Sequence, residues 1–271
     1  MKQAAVLGTP VAQSLSPAMH HKWLAALGLE GCYLALETEP HLLEPRVQIL
    51  AEEGFVGVNI TAPLKEIAAD IAEEPDELVT ACGAANLLIF KRGRIEAYNT
   101  DAQAIADEAT TAGWQGGPVL IIGAGGVARA AVHGLLRAGA SNITVANRRP
   151  ERAQAWAEPL AGQGVRVARQ AVVTSETQLI INATPADPDV HWPNNHLQMD
   201  HHRAVAMDLR YDPLRTPFLQ QAEDKGVATV DGLRVLIAQG RPSFQALFDA
   251  EPPEGDIYPD LAALLSAEEA L

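Results

Sequence analysis

A glycine-rich turn between an apolar run and a helical run is the feature of this chain that most narrows its possible folds. Residues 123–128 match G-x-G-x-x-[GA] directly after the apolar run 118–122. In such a turn the first glycine allows a tight bend, the second lets a pyrophosphate approach the backbone, and the small last residue lets helix and strand pack closely. The helix that follows presents free N–H groups to phosphates. The pattern therefore predicts a dinucleotide-binding unit that uses Gly123, Ala124, Gly125, Gly126, Val127 and Ala128.

The end of the next predicted strand, 143–146, indicates which dinucleotide is bound. A site for NAD usually has Asp or Glu there, about 20 residues beyond the glycines, to hold the ribose hydroxyls. This chain has Asn147, Arg148 and Arg149, with Arg152 one helical turn further. Guanidinium groups suit a 2′-phosphate, so the sequence predicts NADP as the cofactor. The alternative is that the glycines form only a turn and the arginines only a solvated helix start.

Charge and cysteine content exclude several other classes of protein. The chain carries 34 acidic and 20 basic residues, a net charge of −14, which argues against binding a nucleic-acid backbone. Cys32 and Cys82 are the only cysteines and have no metal-ligand spacing around them. The first apolar run, 4–7, is too short for a signal peptide, and no segment approaches the ~20 apolar residues of a membrane span. We therefore expect a cytoplasmic protein with no metal site, no nucleic-acid partner and no membrane partner.

Short apolar runs alternate with helical runs along the chain, which favours an α/β fold built from crossover units. The runs 4–7, 32–36 and 57–61 predict strands of a first sheet. Runs 86–90 and 95–98 flank a short glycine-containing loop and predict a hairpin. The runs 118–122, 143–146, 179–181, 205–209 and 228–230 predict a second sheet. A length of 271 residues suits two domains of moderate size.

Three polar strings, at 14–17, 59–65 and 99–101, follow predicted strands in the first hundred residues. Ligands of open α/β sheets bind at the carboxyl ends of strands. Hydroxyl, amide, ammonium and carboxylate groups could therefore converge on one small molecule. The residue types alone predict a site for a polyol or a hydroxy acid.

Ordered motifs over nearly the whole chain resemble the shikimate dehydrogenase family. They are S-L-S-P-A-M-H at 14–20, N-I-T-A-P-L-K at 59–65, G-A-A-N at 83–86, N-T-D at 99–101, G-A-G-G-V-A-R-A at 123–130, N-R-R at 147–149, N-A-T-P at 182–185, Y-D-P-L-R-T-P at 211–217 and D-G-L…Q-G at 231–240. The resemblance implies a two-domain α/β protein: residues 1–101 plus 233–271 would form a mixed α/β substrate-binding domain, and residues 102–232 a Rossmann NADP-binding domain. It also implies an oxidoreductase that reversibly reduces 3-dehydroshikimate to shikimate with NADPH, a step toward aromatic amino acids.

The resemblance assigns the reaction chemistry to Lys65 and Asp101. Lys65 matches the residue that exchanges a proton with the reacting oxygen, where an ammonium stabilises the negative charge that develops on hydride arrival. Asp101 would orient Lys65 and keep it charged. Viewed alone, Lys65 could be a surface lysine at a helix start, and Asp101 could be the N-cap of a helix over 102–113.

Substrate and cofactor ligands are implied in the same way. Residues that match those holding the substrate carboxylate are Ser14, Ser16 and Tyr211. Residues that match those binding the ring hydroxyls are Thr61, Asn86, Asp101 and Gln239. Thr184 and Gly232 match further cofactor-binding positions. The plain alternatives are helix capping for the two serines, backbone pairing at a strand end for Asn86, and an ordinary polar helix position for Gln239.

Several positions differ from the family's usual residues, and most belong to the expected nicotinamide pocket. Ala186-Asp187 replaces the usual Gly-Met after N-A-T-P, and residues 232–236 read G-L-R-V-L where G-L-G-M-L is usual. Two pocket methionines are therefore absent. This leaves open a paralogue acting on quinate or a related hydroxylated cyclohexane carboxylate, and a low-turnover regulatory protein that binds NADP and a ligand. The expected partner is a small-molecule substrate, and the chain could be a monomer or a homodimer.

Overall fold

The chain forms two compact units in the computed structural model, which describes residues 1–191 and 204–268. Unit 1 comprises Met1–Asp101 and Leu236–Leu271, and unit 2 comprises Ala102–Val235. Both contain a sheet with helices, which confirms the α/β class. The expected domains place the second boundary after residue 232, and their assignment to substrate and cofactor binding stays a prediction.

Fourteen strands occur in the described residues. They are β1 (Lys2–Gly8), β2 (Gly31–Glu37), β3 (Gly57–Ile60), β4 (Glu74–Pro75), β5 (Leu87–Lys91), β6 (Arg94–Tyr98), β7 (Val119–Ile122), β8 (Ile143–Ala146), β9 (Val165–Ala168), β10 (Ala171–Val172), β11 (Leu179–Asn182), β12 (Val190–His191), β13 (Val205–Asp208) and β14 (Ala228–Val230).

Ten α-helices alternate with these strands in the described part of the chain. They are α1 (Ser16–Ala26), α2 (Leu43–Glu52), α3 (Lys65–Asp70), α4 (Glu77–Cys82), α5 (Asp101–Thr111), α6 (Gly126–Arg137), α7 (Pro150–Ala157), α8 (Pro217–Glu223), α9 (Gly232–Phe248) and α10 (Tyr258–Glu268). Two 3₁₀ helices cover Pro40–Leu42 and Glu158–Gln163. Over residues 1–191 and 204–268, none of the helices combines the length and apolarity that crossing a bilayer requires.

Unit 1 is built on a mixed six-stranded sheet with the order β2-β1-β3-β5-β6-β4. β1 pairs in parallel with β2 and β3, whereas β5 runs antiparallel to β3 and β6. The β5–β6 pair is the expected hairpin. Because of these directions, the ends of β1, β3 and β6 and the start of β5 lie at one edge of the sheet.

The apolar core of unit 1 fixes the segments at that edge. Leu7, Val58, Leu64 and Leu88 are each fully buried in one cluster. Leu64 directly precedes Lys65, so its burial, worth roughly 1.5–3 kcal/mol for a leucine side chain, anchors the start of α3. The core thereby determines where the Lys65 backbone lies.

Unit 2 contains a six-stranded parallel sheet with the order β14-β13-β11-β7-β8-β9. Read in chain order this is the 3-2-1-4-5-6 arrangement of a doubly wound dinucleotide-binding domain. The order reverses between β7 and β11, where Ile122 pairs with Asn182. Ligands of such sheets bind at this reversal point, so the turn after β7 and the loop after β11 form the expected cofactor end. β10 and β12 form a separate two-stranded parallel sheet.

Candidate active site

An ion pair lies at the functional edge of the unit 1 sheet. Lys65, the first residue of α3, donates from Nζ to Asp101 Oδ2 at 2.7 Å. The Lys65 and Asp101 side chains are only 15% and 8% exposed. Lys65 is therefore not a solvated surface lysine. The N-cap interpretation of Asp101 also fails, because α5 begins at Asp101 itself and its carboxylate accepts from Lys65.

Asn86 and Gln239, two predicted ring-hydroxyl ligands, contact each other. Asn86 Nδ2 donates to Gln239 Oε1 at 3.2 Å and to Thr100 Oγ1 at 2.8 Å. Asn86 Oδ1 accepts the Thr100 backbone N–H at 2.8 Å. The Asn86 side chain thus links the start of β5 to Thr100, the residue before Asp101. The Asn86 backbone N–H also donates to Tyr98 O at 3.1 Å. Two predicted ligands and the ion pair consequently belong to one contiguous polar cluster.

Of the two serines after β1, Ser16 does not cap α1, whereas Ser14 bonds the first N–H of that helix. The N-cap position of α1 is Leu15, without a side-chain cap, and Ser16 is already the first helical residue. Leu15 adopts helical backbone angles, so the helix begins one residue earlier than a Ser16 cap requires. Ser14 Oγ instead accepts the Ser16 N–H at 3.3 Å. Both serines stay predictions as carboxylate ligands.

Thr61 directly follows β3, and its N–H donates to Leu7 O at 2.9 Å. A Cβ on Gly8 would lie 2.3 Å from Thr61 Cγ2 and 3.1 Å from Ala62 O. A side chain at residue 8 would therefore displace the Thr61 methyl group from its place. Gly8 is visible in the sequence, but no residue near it indicates that it lies against Thr61.

Tyr33 and Asn59 belong to the same cluster and were missed by sequence reasoning. The buried Tyr33 hydroxyl donates to Asn59 Oδ1 at 2.8 Å. Burial raises the pKa of Tyr33 far above its usual range, and a hydrogen bond with the Ser16 side chain opposes this only in part. Tyr33 therefore stays neutral and can donate a hydrogen bond at physiological pH. Asn59 stands in the N-I-T-A-P-L-K motif, which was the available signal.

His20 stacks on the ring of Tyr33, and its burial makes the free energy of unfolding depend on pH in the acid range. The two rings stack at 4.0 Å, His20 Nδ1 has no hydrogen-bond partner in the described part of the chain, and burial lowers the His20 pKa to about 3. The unfolded chain therefore takes up a proton near pH ~6.5 that the folded protein refuses until about pH 3, so stability falls as pH drops through that window. Between about pH 6 and 4, urea titrations should show wild type losing up to about 1.4 kcal/mol of unfolding free energy per pH unit more than His20→Phe, which retains a stacked ring. Equal pH dependence of the two proteins would contradict this.

The glycine-rich turn of unit 2 fits a dinucleotide phosphate. Gly123 has φ +123°, and a Cβ there would lie 2.8 Å from Ala183 O, so only glycine suits this position. A Cβ on Gly125 would meet no described atom within 4 Å, which leaves that face of the turn open. α6 begins at Gly126 with no side-chain cap and no acidic residue in its first turn. Its first N–H groups thus lack the side-chain acceptor that usually caps a helix, an arrangement that favours an anion.

The predicted 2′-phosphate ligands surround the start of α7. Arg148, Arg149 and Arg152 are exposed, and no carboxylate of residues 1–191 or 204–268 forms an ion pair with them. Asn147 Nδ2 donates to Arg149 O at 2.8 Å and shapes this corner. Guanidinium groups form strong, charge-assisted hydrogen bonds with phosphate, so three of them without acidic partners are suited to bind a phosphate monoester. The residues present fit NADP.

Thr184, Gly232 and Tyr211 also lie in unit 2. The Thr184 hydroxyl is 2.8 Å from both Asn182 Oδ1 and Ala186 O, which orders the loop after β11. A Cβ on Gly232 would lie 2.5 Å from the carbonyl oxygens of Leu209 and Arg210, so this glycine allows two backbones to approach closely. Their ligand roles stay predictions, as does that of Tyr211.

An ion pair stands where one expected nicotinamide-pocket methionine is absent. Asp187 accepts from Arg210 Nη2 at 2.5 Å, and Arg210 also donates to the fully buried Asp208 at 2.8 Å. Arg234, in the place of the usual glycine, has Nε 3.9 Å from Asp231 Oδ2. Burial raises the pKa of the nearby Glu108, and Arg234 partly offsets this. The two ion pairs of Arg210 therefore tie the loop after β11 to the end of β13 in this chain. No group of three or more His, Cys, Asp or Glu within the described ranges could hold a metal ion.

Comparisons with known proteins cover both units. A family model described as the shikimate dehydrogenase substrate binding domain matches residues 6–88, and one described as shikimate / quinate 5-dehydrogenase matches residues 104–235. Shikimate dehydrogenase (NADP(+)) of Brucella canis is 39% identical over 264 residues, covering 93% of this chain and 90% of the relative. The enzyme of the same name from Caulobacter vibrioides is 39% identical over 261 residues, covering 93% and 92%.

A solved structure shows the same architecture. Shikimate 5-dehydrogenase from Thermus thermophilus, in complex with NADP(H) and shikimate, superposes with a TM-score of 0.82 at 35% identity and covers 100% of both chains. The similarity therefore extends over both units.

Proposed function

The chain belongs to the shikimate dehydrogenase family, and on that premise we propose that it is an NADP-dependent oxidoreductase that reversibly reduces 3-dehydroshikimate to shikimate. The observation that carries the proposal is the largely buried Lys65–Asp101 ion pair, set beside the hydrogen-bonded amides of Asn86 and Gln239. Such a site offers one proton donor and several fixed hydrogen-bonding groups to a small hydroxylated ring.

Lys65 is proposed as the proton donor and acceptor. NADPH, when bound, supplies the hydride that reaches the ketone carbon. As that carbon–hydrogen bond forms, the carbonyl π electrons move onto oxygen, and the Lys65 ammonium stabilises this charge and donates a proton to give the hydroxyl. In the reverse direction the hydroxyl proton returns to the Lys65 amine.

Asp101 is proposed to position Lys65. An ionised carboxylate only accepts hydrogen bonds, and next to a developing oxyanion it would be repulsive. Its contact with Nζ at 2.7 Å fixes the ammonium with one N–H bond and leaves two N–H bonds for a ligand. The backbone of Asp101 is held in turn by Asn99 Oδ1, which accepts its N–H at 3.1 Å.

The assay is oxidation of shikimate by the purified protein, followed by NADPH absorbance. We expect turnover with shikimate and NADP⁺. Turnover should be weaker when quinate replaces shikimate or when NAD⁺ replaces NADP⁺. Turnover with quinate but not shikimate would favour the quinate paralogue. Tight NADP⁺ binding without turnover of either compound would favour the regulatory protein and refute both enzyme proposals.

Location and assembly are secondary proposals. The thiols Cys32 and Cys82 are both free, which is consistent with a reducing compartment, and we infer a cytoplasmic location. The choice between monomer and homodimer stays a prediction, for which light scattering at assay concentration is the measurement.

A further inference from the structure

A serine without any assigned role connects three segments of the candidate site. Ser243 lies on α9 one turn beyond Gln239 and is fully buried. Its hydroxyl donates to Gln239 O at 3.1 Å, accepts from Asn59 Nδ2 at 3.0 Å, and lies 3.3 Å from Thr100 Oγ1. One side chain therefore joins α9, the end of β3 and the segment before Asp101.

The hydrogen-bonding capacity of the cluster determines how the Gln239 amide is oriented. Gln239 Oε1 accepts from Asn86 Nδ2 at 3.2 Å and lies 3.3 Å from Thr100 Oγ1. Gln239 Nε2 donates one hydrogen to Leu236 O at 2.8 Å. The carbonyl end therefore faces Asn86 and Thr100, and among residues 1–191 and 204–268 one Nε2 hydrogen of the amide has no acceptor and is left for a ligand.

Asn86 is oriented in the complementary sense. Both hydrogens of its Nδ2 are directed to Thr100 Oγ1 and Gln239 Oε1, whereas its Oδ1 accepts a single hydrogen bond from the described part of the chain, that of the Thr100 N–H. A carbonyl oxygen has two lone pairs, so one remains. The pair consequently offers one donor from Gln239 and one acceptor from Asn86, which suits a hydroxyl group that both accepts and donates.

We propose that Ser243 is a positioning residue that, with Thr100 and Asn59, fixes the amide orientations of Gln239 and Asn86 for recognition of a substrate ring hydroxyl. The inference rests on the proposed function. The Ser243 hydroxyl donates its one hydrogen to Gln239 O and accepts from Asn59, and the single hydrogen of the Thr100 hydroxyl is shared between Ser243 Oγ and Gln239 Oε1, each 3.3 Å away. Removing the Ser243 hydroxyl leaves one Nδ2 hydrogen of Asn59 without its acceptor, while the other still bonds Asn86 O at 3.1 Å, and it removes the contact that holds Thr100 beside Gln239.

The test compares Ser243→Ala with wild type in steady-state kinetics. KM for shikimate should rise about tenfold, the factor for one ordinary hydrogen bond, while kcat and KM for NADP⁺ change less than about threefold. The rise should be smaller for at least one shikimate analogue that lacks a single ring hydroxyl. Ser266→Ala is the matched control, because the exposed Ser266 makes the same bond to the carbonyl four residues earlier, at 3.3 Å to Ala262 O, on α10.

Thr100→Val keeps the inference testable if Ser243→Ala does not fold. It removes the hydroxyl that links Ser243 to Gln239 at nearly constant volume and should give the same change in KM. The double variant should then cost no more than either single one. If wild type turns over shikimate but the variants have the same KM for shikimate as wild type, this inference alone is overturned. The same holds if KM rises by the same factor for shikimate and for every analogue. Absence of wild-type turnover with shikimate would overturn the proposed function and this inference with it.

Discussion

Replacing Lys65 by alanine should lower kcat for shikimate oxidation by about 10²–10⁴-fold, the range expected when a general acid or base is removed. The dissociation constant of shikimate should stay within about tenfold, since the proton transfer is made only in the transition state. Lys65 Nζ lies 2.7 Å from Asp101, and the Lys65 side chain is 15% exposed. In the described residues, Lys2, Lys22 and Lys91 form ion pairs with other carboxylates, so none of these lysines can replace the Lys65 ammonium in the variant. Kinetics and calorimetric titration of shikimate are the two measurements.

The control for Lys65→Ala is Lys22→Ala. Lys22 also pairs with a carboxylate, Asp260 at 2.9 Å, but its side chain is 43% exposed. Exposed ion pairs contribute about 0–1 kcal/mol, so Lys22→Ala should leave kcat and unfolding unchanged. If Lys65→Ala instead weakens shikimate binding as much as turnover, Lys65 is mainly a ligand and the proposed proton transfer is wrong.

Local patterns were sufficient to predict the parts of the molecule that depend on neighbours in sequence. The glycine turn, the strand before it and the helix after it occupy residues 118–137 almost as expected, because tight turns and apolar runs act over a few residues. The convergence of Lys65 and Asp101 was also predictable, since both follow strands whose ends share one sheet edge.

The rest depends on contacts between residues far apart in the chain. Ser243 and Asn59 are separated by 184 positions, and nothing near either residue indicates the other. Helix capping, the plain alternative for Ser16, does not hold, because Leu15 takes the cap position and Ser16 is already helical, although Ser-Pro is typical of a cap. Arg210 and Asp187, 23 positions apart, likewise form a pair that only the tertiary structure shows.

Replacing Arg148, Arg149 and Arg152 together by glutamine should raise KM for NADP⁺ by about 10²-fold or more, since each charge-assisted hydrogen bond contributes about 1.5–3 kcal/mol and each ~1.4 kcal/mol is tenfold. Glutamine preserves side-chain length and some hydrogen bonding but not charge. None of the three arginines pairs with a described carboxylate, so the substitutions leave no acid unpaired and folding should be retained.

NAD⁺ is the internal control for these arginines, because it differs from NADP⁺ only by the 2′-phosphate. KM for NAD⁺ should change less than about threefold in the triple variant, and the salt dependence of NADP⁺ binding should flatten, since fewer screened charges attract the phosphate. The substitutions also deepen the net charge from −14 to −14 − 3 = −17, which weakens attraction for any anion. A parallel rise in KM for both cofactors would therefore assign the effect to this general field, and unchanged KM for NADP⁺ would show that the arginines are only a solvated helix start.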